Sequence, residues 1–244
     1  MSPDAYLQVA ETEAEHWWFR GRRDVLRSIL RRLALLSRAR VLEVGSGTGG
    51  NLETLAEFGS VSEIEMDETA RRLTAKSNGE RFDIRAGHCP DDLLFDVERF
   101  DLICFFDCLE HIADDVGSLA RMRTILAPDG KIVVTVPAYQ WLWSAHDVFL
   151  QHHRRYSRAT PTACADEAGY RIERITYFNT LLLPLAIAVR FIDRLLKRDR
   201  SSGDATPSGV LNTLLYRIFS AERHWVSHGA LPCGVSLLAV LTVK

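Results

Sequence analysis

Short apolar runs alternate with stretches of helical periodicity through the first half of the chain, the pattern of βαβ units on a parallel sheet. The runs predict strands near 40–45, 61–65, 82–86, 101–106 and 131–136. Between them the spacing predicts a helix from about Asn51, a second over Asp67–Lys76 with Asp67 as its N-cap, and a third from Asp114 that stops at the turn Pro128-Asp129-Gly130. Farther on, Pro161–Gly169 reads as a short helix closing on glycine, Tyr170–Phe178 alternates with period two, and Val235–Val243 is an apolar closing strand. These last two are expected to pair antiparallel.

Between that pair lie about 55 residues, far more than a hairpin requires. They hold an amphipathic stretch over 181–196, a polar segment Arg200–Gly209 that reads as a mobile loop, and a second helix over Val210–Val226. The first 38 residues read as a helical cap carrying Glu15-His16-Trp17-Trp18-Phe19-Arg20 and the basic pair Arg22-Arg23. The expected organisation is therefore one domain over 1–244: a helical cap (1–38), a core (39–178), a helical insertion (179–233) and a last strand (234–244).

With 244 residues, 47% of them hydrophobic, the chain can bury one substantial core without metals or disulfides. A formal net charge of -2 argues against bulk nucleic-acid binding. The five cysteines are odd in number and lack paired C-x-x-C spacing, so a reducing cytoplasm is the expected compartment. The polar, acidic N-terminus predicts no secretory leader. The longest apolar stretch, Leu181–Val189, contains Pro184 and falls short of the roughly 20 residues that span a bilayer.

The chemistry concentrates at Val41-Leu-Glu-Val-Gly-Ser-Gly-Thr-Gly-Gly-Asn51, an apolar strand running into a glycine turn and a helix start. Such a turn needs positive φ and lets a ligand approach the main chain, which glycine alone permits cheaply. Gly45, Gly47 and Gly50 also satisfy G-x-G-x-x-G, and Glu65 follows about 20 positions later, so a dinucleotide and an NAD-dependent oxidoreductase stay open. Glu43 shifts the balance. A carboxylate two residues before the first glycine repels a pyrophosphate and suits a ligand bearing an ammonium and a sulfonium.

Four motifs stand in order: Glu43–Gly49, the acidic Glu65 closing strand two, Phe100-Asp-Leu-Ile-Cys-Phe-Phe-Asp-Cys-Leu-Glu-His111, and Leu126-Ala-Pro-Asp-Gly-Lys-Ile-Val-Val-Thr-Val-Pro137. Together they resemble the class I S-adenosylmethionine-dependent methyltransferases. The resemblance implies a doubly wound, Rossmann-like α/β fold: a seven-stranded sheet with its last strand antiparallel and a ligand across the carboxyl ends of the strands. It further implies S-adenosyl-L-methionine as cofactor, with Glu43, Gly45, Ser46 and Gly47 near its methionine part, Glu65 and Met66 near the ribose, and Asp107 beside the methionine or the acceptor. Where the family usually carries an acidic residue for the adenine amine, this chain has Ala86-Gly-His88-Cys89, so backbone, packing and the His88 ring are expected there. A non-catalytic S-adenosylmethionine-binding protein is the other alternative, since fold alone does not establish turnover.

Methyl transfer to a hydroxyl needs a base near the methyl group. His111, and His146 and His153 from the segment after strand five, are the catalytic candidates. No metal site is assigned, although Asp107, Glu110 and His111 with a later histidine resemble the carboxylate and imidazole cluster of some methyltransferases acting on RNA ends and quinone precursors. The expected acceptor is a small-molecule, lipid-linked or glycan-like compound with a nucleophilic oxygen or nitrogen. The insertion is expected to form its pocket, and the apolar face of 181–196 with Lys197-Arg198-Asp199-Arg200 offers contact to a membrane periphery or to a second subunit in a homodimer.

Overall fold

The computed structural model describes residues 3–95, 98–196 and 206–244. In chain order, α1 (Pro3–Thr12) and α2 (Trp17–Leu30) precede β1 (Ala39–Val44), α3 (Leu52–Ala56), β2 (Gly59–Glu65), α4 (Glu68–Asn78), β3 (Asp83–Ala86) and β4 (Phe100–Phe106). Then follow α5 (Asp115–Met122), β5 (Leu126–Pro137), α6 (Ala145–Phe149), α7 (Ala159–Glu167), β6 (Tyr170–Phe178), α8 (Leu183–Leu195), α9 (Gly209–Ala221), α10 (Arg223–Val226) and β7 (Ser236–Val243). Among the described residues the strands form one seven-stranded sheet in the order β3-β2-β1-β4-β5-β7-β6. β7 runs antiparallel to both its neighbours, β5 and β6, and the other pairings are parallel.

Period-two alternation decides which face each strand residue serves. Leu42, Ile103, Phe105, Leu237, Ala239 and Leu241 join Phe95, Met122, Tyr156 and Tyr170 on one side of the sheet. Val41, Leu102, Cys104, Leu238 and Val240 join Leu26, Ile29, Leu52, Phe178 and Phe219 on the other. Each fully buried side chain of this size contributes roughly 1.5–3 kcal/mol relative to exposure.

Asp67 caps α4 as expected, its carboxylate accepting from the Ala70 N–H at 3.0 Å, and Asp114 caps α5 by accepting from the Gly117 N–H at 2.8 Å. The helix expected from about Asn51 runs over Leu52–Ala56. One expectation changes. Pro128-Asp129-Gly130 is no separate turn but a bulge within β5: Phe100 pairs with Leu126 and Leu102 with Lys131, so one residue on β4 faces four on β5. The polar segment expected to be mobile lies, over 200–205, outside the described residues.

The cap and the insertion pack as a unit. Gly21 in α2 leaves room for the Phe219 ring of α9; a Cβ there would meet Phe219 Cδ1 at 2.5 Å. Asn212 in α9 accepts from the Trp17 N–H at 2.8 Å and donates to the Glu15 carbonyl at 2.9 Å. The Trp17 ring meets Phe219 edge-on with centroids 6.0 Å apart. Trp17 therefore anchors the cap.

Candidate functional site at the carboxyl edge of the sheet

Asp107, Tyr139 and Asn179 follow β4, β5 and β6 and adopt φ of 52°, 60° and 57°. Non-glycine residues in this region are uncommon and each costs on the order of 1 kcal/mol. Here they turn the chain around one crevice, and Asp107 and Asn179 line it. The crevice holds a cavity of about 790 Å³ reaching from the glycine loop at Gly45–Gly50 to α8.

At the loop end, Gly45, Gly47 and Gly49 adopt φ of 68°, 60° and 78°. A Cβ on Gly45 would lie 2.3 Å from Cys108 Sγ, so the turn closes only on glycine. The Ser46 hydroxyl and Glu43 Oε2 are buried without a hydrogen-bond partner among the described residues. Open glycine backbone beside a cavity of this size fits a nucleoside ligand.

Glu43 does not itself line the cavity. It is buried behind the loop, where Oε1 accepts from Asn51 Nδ2 at 2.7 Å; Asn51 Oδ1 accepts in turn from Arg22 Nη2 at 3.2 Å. Burial, partly offset by Asn51, pushes the Glu43 carboxyl up to about 8. Arg22 also pairs with Asp107 and lies 4.7 Å from the Trp18 ring centroid. Asn51 and Arg22, and not Glu43, line the cavity beside the loop.

Glu65 lies under the loop. Its two oxygens accept from the N–H groups of Gly47 and Asp67, both at 2.9 Å, and burial raises its pKa. Tyr6 of α1 covers it, and the Tyr6 hydroxyl is pushed well above its usual range by burial and then by Glu65. Met66 is 72% exposed and His88 is exposed, so neither side chain reaches the cavity. His88 uses its backbone to pair with Asp92 instead. Cys89 is packed into the core, where burial raises its thiol to about 12.

Of the histidines, His111 and His146 line the cavity and His153 does not. His153 is exposed and only its N–H turns inward, to the Glu110 carbonyl at 2.7 Å. Its neighbour His152 takes the inner position. The reason is local: Gln151 at φ 59° reverses the chain, and Asp147, fixed by the Ser144 capping box, holds His152 Nδ1 with Oδ1 at 3.0 Å. The His152 and His111 rings meet edge-on at 4.6 Å. Burial and then the neighbouring His152 lower the His111 pKa to about 3, so it is a neutral imidazole. Glu110, His111 and His152 offer donor atoms within 4.8 Å of one another, a set able to close on a divalent cation. Burial raises Glu110, with the Asp107 charge adding to it.

Asp147 is the hub of this wall. Besides His152, Oδ1 accepts from Arg155 Nε at 2.6 Å, while Oδ2 accepts from the Ser144 N–H at 2.8 Å and hydroxyl at 3.2 Å. These bonds and the Arg155 charge hold its carboxyl far below the usual range, against its burial. Asp147, Asn51, Tyr6 and the inner position of His152 had no signature in the sequence, because each role depends on a loop turn or on contact with the cap.

Residues 18–175 match the methyltransferase domain family. The chain belongs to it. The family's class I members use S-adenosylmethionine, in keeping with the motif order, and this sets aside the nicotinamide reading of the glycine loop. An S-adenosylmethionine-dependent methyltransferase of Mycolicibacterium smegmatis is 27% identical over 65% of this chain and 61% of its own length. A ubiquinone biosynthesis O-methyltransferase of Cereibacter sphaeroides is 32% identical over 38% of this chain and 39% of its own. The chain thus spans about three fifths or less of the curated relatives it matches. A Haloferax volcanii methyltransferase, solved in complex with the Trm112 methyltransferase activator, superposes with TM-score 0.62 at 18% identity over 95% of this chain and 91% of that one, a likeness of fold.

Proposed function

We propose that this chain transfers a methyl group from S-adenosylmethionine to an oxygen of a small or lipid-linked acceptor held between the glycine loop and α8. One observation carries the reading: the Asp147–His152 pair stands in the wall of the same cavity as the glycine loop. A carboxylate on Nδ1 fixes the tautomer that leaves Nε2 free to take a proton, the job a hydroxyl acceptor requires. S-adenosylmethionine supplies an electrophilic methyl group on a sulfonium. Arg22, Asn51 and the loop glycines would hold its methionine part, and Trp18, Trp143 and Leu182 would exclude water.

The oxygen assignment draws on a relative named as an O-methyltransferase. The lipid-linked alternative draws on α8, where Ile187, Phe191, Leu195 and Leu196 are exposed. No helix among the described residues is long and apolar enough to cross a membrane. A second use of the His152 wall is favoured by the Glu110, His111 and His152 cluster: these three residues would hold a divalent cation that lowers the acceptor hydroxyl's pKa.

The test is transfer of labelled methyl from S-adenosylmethionine into fractionated small-molecule and lipid extracts, with wild type and His152→Asn. A general base contributes about 10²–10⁴-fold, so His152→Asn should lose transfer on that scale while binding S-adenosylhomocysteine normally. Full transfer by His152→Asn overturns the base assignment. Loss of wild-type transfer on chelation, with restoration by Mg²⁺ or Zn²⁺, promotes the cation.

A further inference from the structure

Along α8 and the residue before it, Leu182, Leu185, Ala186, Val189, Arg190, Asp193 and Arg194 recur at helical spacing and all line the cavity. The stripe is apolar over two turns and then charged, with Asp193 between Arg190 and Arg194. Arg194 is satisfied, its Nη2 donating to the carbonyls of Trp141 at 2.6 Å and Trp143 at 3.0 Å. Arg190 is not. Its guanidinium is largely withdrawn from solvent, forms no hydrogen bond to the described residues, and comes no closer to a carboxylate there than 3.7 Å from Asp147 Oδ2.

Asp147 serves it only as a long ion pair. Both carboxylate oxygens are already committed, to Arg155 and His152 on one side and to Ser144 on the other. Arg155 adds a second positive charge beside Arg190, and burial followed by that charge lowers the Arg190 pKa to about 10. A guanidinium that is mostly withdrawn from water and makes no hydrogen bond to the described residues is under-partnered, and an arriving oxyanion supplies a bidentate, charge-assisted pair.

We infer that Arg190, backed by Arg155, forms an oxyanion subsite in the acceptor end of the cavity, and that the acceptor is an amphiphile carrying a phosphate or carboxylate on an apolar body. The inference rests on the methyltransferase reading for the word acceptor; the subsite itself rests on Arg190. The apolar body lies along Leu182, Leu185, Ala186 and Val189, one to two helical turns from the charge. The anion fixes where the acceptor stops, and so which of its oxygens reaches the loop end.

Calorimetric titration tests this, using the full chain saturated with S-adenosylhomocysteine and four probes: hexyl phosphate, hexanoate, 1-hexanol and inorganic phosphate. Hexyl phosphate or hexanoate should bind at least tenfold more tightly than 1-hexanol. Arg190→Gln should erase that preference and Arg190→Lys should keep part of it. Equal affinity for the anions and the alcohol, or an undiminished preference in Arg190→Gln, overturns the subsite. Flotation with phosphatidic acid vesicles but not phosphatidylcholine vesicles, lost in Arg190→Gln, assigns the anion to a lipid headgroup; binding of hexyl phosphate without flotation assigns it to a free phosphate ester. The anion titrations are repeated without S-adenosylhomocysteine. Failure to bind that nucleoside sinks the methyltransferase reading, and loss of the anion preference sinks the subsite.

Discussion

Glu63 gives the sharpest test of the electrostatics beneath the glycine loop. It lies on β2 directly beside Glu43 on β1, is fully buried, and neither of its oxygens makes a hydrogen bond among the described residues. Burial pushes its pKa up to about 7; the nearby Ser46 hydroxyl and Arg71 pull it down, and Glu65 pushes it further up. A carboxyl raised from 4.5 to about 7 on folding is neutral in the native state while the unfolded chain ionises. Its contribution to stability is therefore full below pH 4.5 and declines as pH rises through 7. Between pH 5 and 8 that decline is on the order of 2–3 kcal/mol for Glu63 alone, from about 1.4 kcal/mol per unit of pKa shift. Glu63→Gln keeps the shape, cannot ionise, and removes the repulsion that raises Glu43. Thermal melts of wild type and variant should nearly coincide at pH 5. At pH 8 the variant should melt higher by roughly 5–10 °C, taking 2–4 °C per kcal/mol for a chain of this size. A difference in melting temperature that is the same at both pH values would mean that Glu63 is charged in the folded protein, and the account of a protonated carboxyl layer would be wrong.

Three further outcomes are expected. Gly45→Ala combines a left-handed backbone with a Cβ 2.3 Å from Cys108 Sγ, so it should destabilise by about 2 kcal/mol or more and weaken S-adenosylhomocysteine binding at least tenfold by calorimetry; unchanged affinity would remove the loop from the cofactor site. Arg22→Ala strands Asp107, whose side chain is only 19% exposed, and should cost about 3 kcal/mol in urea melts together with most of the nucleoside affinity, whereas Arg22→Lys should keep the charge but lose the second arm to Asn51. Glu65→Ala removes the acceptor for the Gly47 and Asp67 N–H groups, and nucleoside affinity should fall at least tenfold; intact affinity would refute the ribose assignment.

The parts legible in the sequence are those with a period or a backbone rule. Strands buried on both faces, as in Leu102-Ile103-Cys104-Phe105, announce themselves as short apolar runs and reappear with neighbouring residues in opposite cores. Asp67 and Asp114 announce themselves because a short carboxylate ahead of an amphipathic run has one good use. The glycine loop is legible for the same reason, since positive φ at Gly45, Gly47 and Gly49 is nearly a glycine property. The site's side chains obey no such rule. Between Ser144 and Tyr156 a single left-handed residue, Gln151, decides that His152 faces the cavity and His153 faces water, and no period along the loop predicts it. Glu43 differs again: it stands two residues before the first glycine, but it is buried behind Asn51, which lines the cavity in its place.

That intermediate layer gives the cap a role beyond covering the sheet. Arg22 reaches Asn51 at the loop and Asp107 at the end of β4 from a helix that the sheet does not itself carry. α2 holds its position through Gly21, Trp17 and Asn212 against α9, an element of the insertion. The insertion also supplies α8, whose Arg190 and apolar stripe line the far end of the same cavity. α2 and α9 pack closely at Gly21, where an added Cβ would lie 2.5 Å from Phe219 Cδ1. If the loop end takes S-adenosylhomocysteine and the α8 end an anionic amphiphile, any coupling between the two is reciprocal: whatever the amphiphile does to the affinity for the nucleoside, the nucleoside must do to the amphiphile's by the same factor.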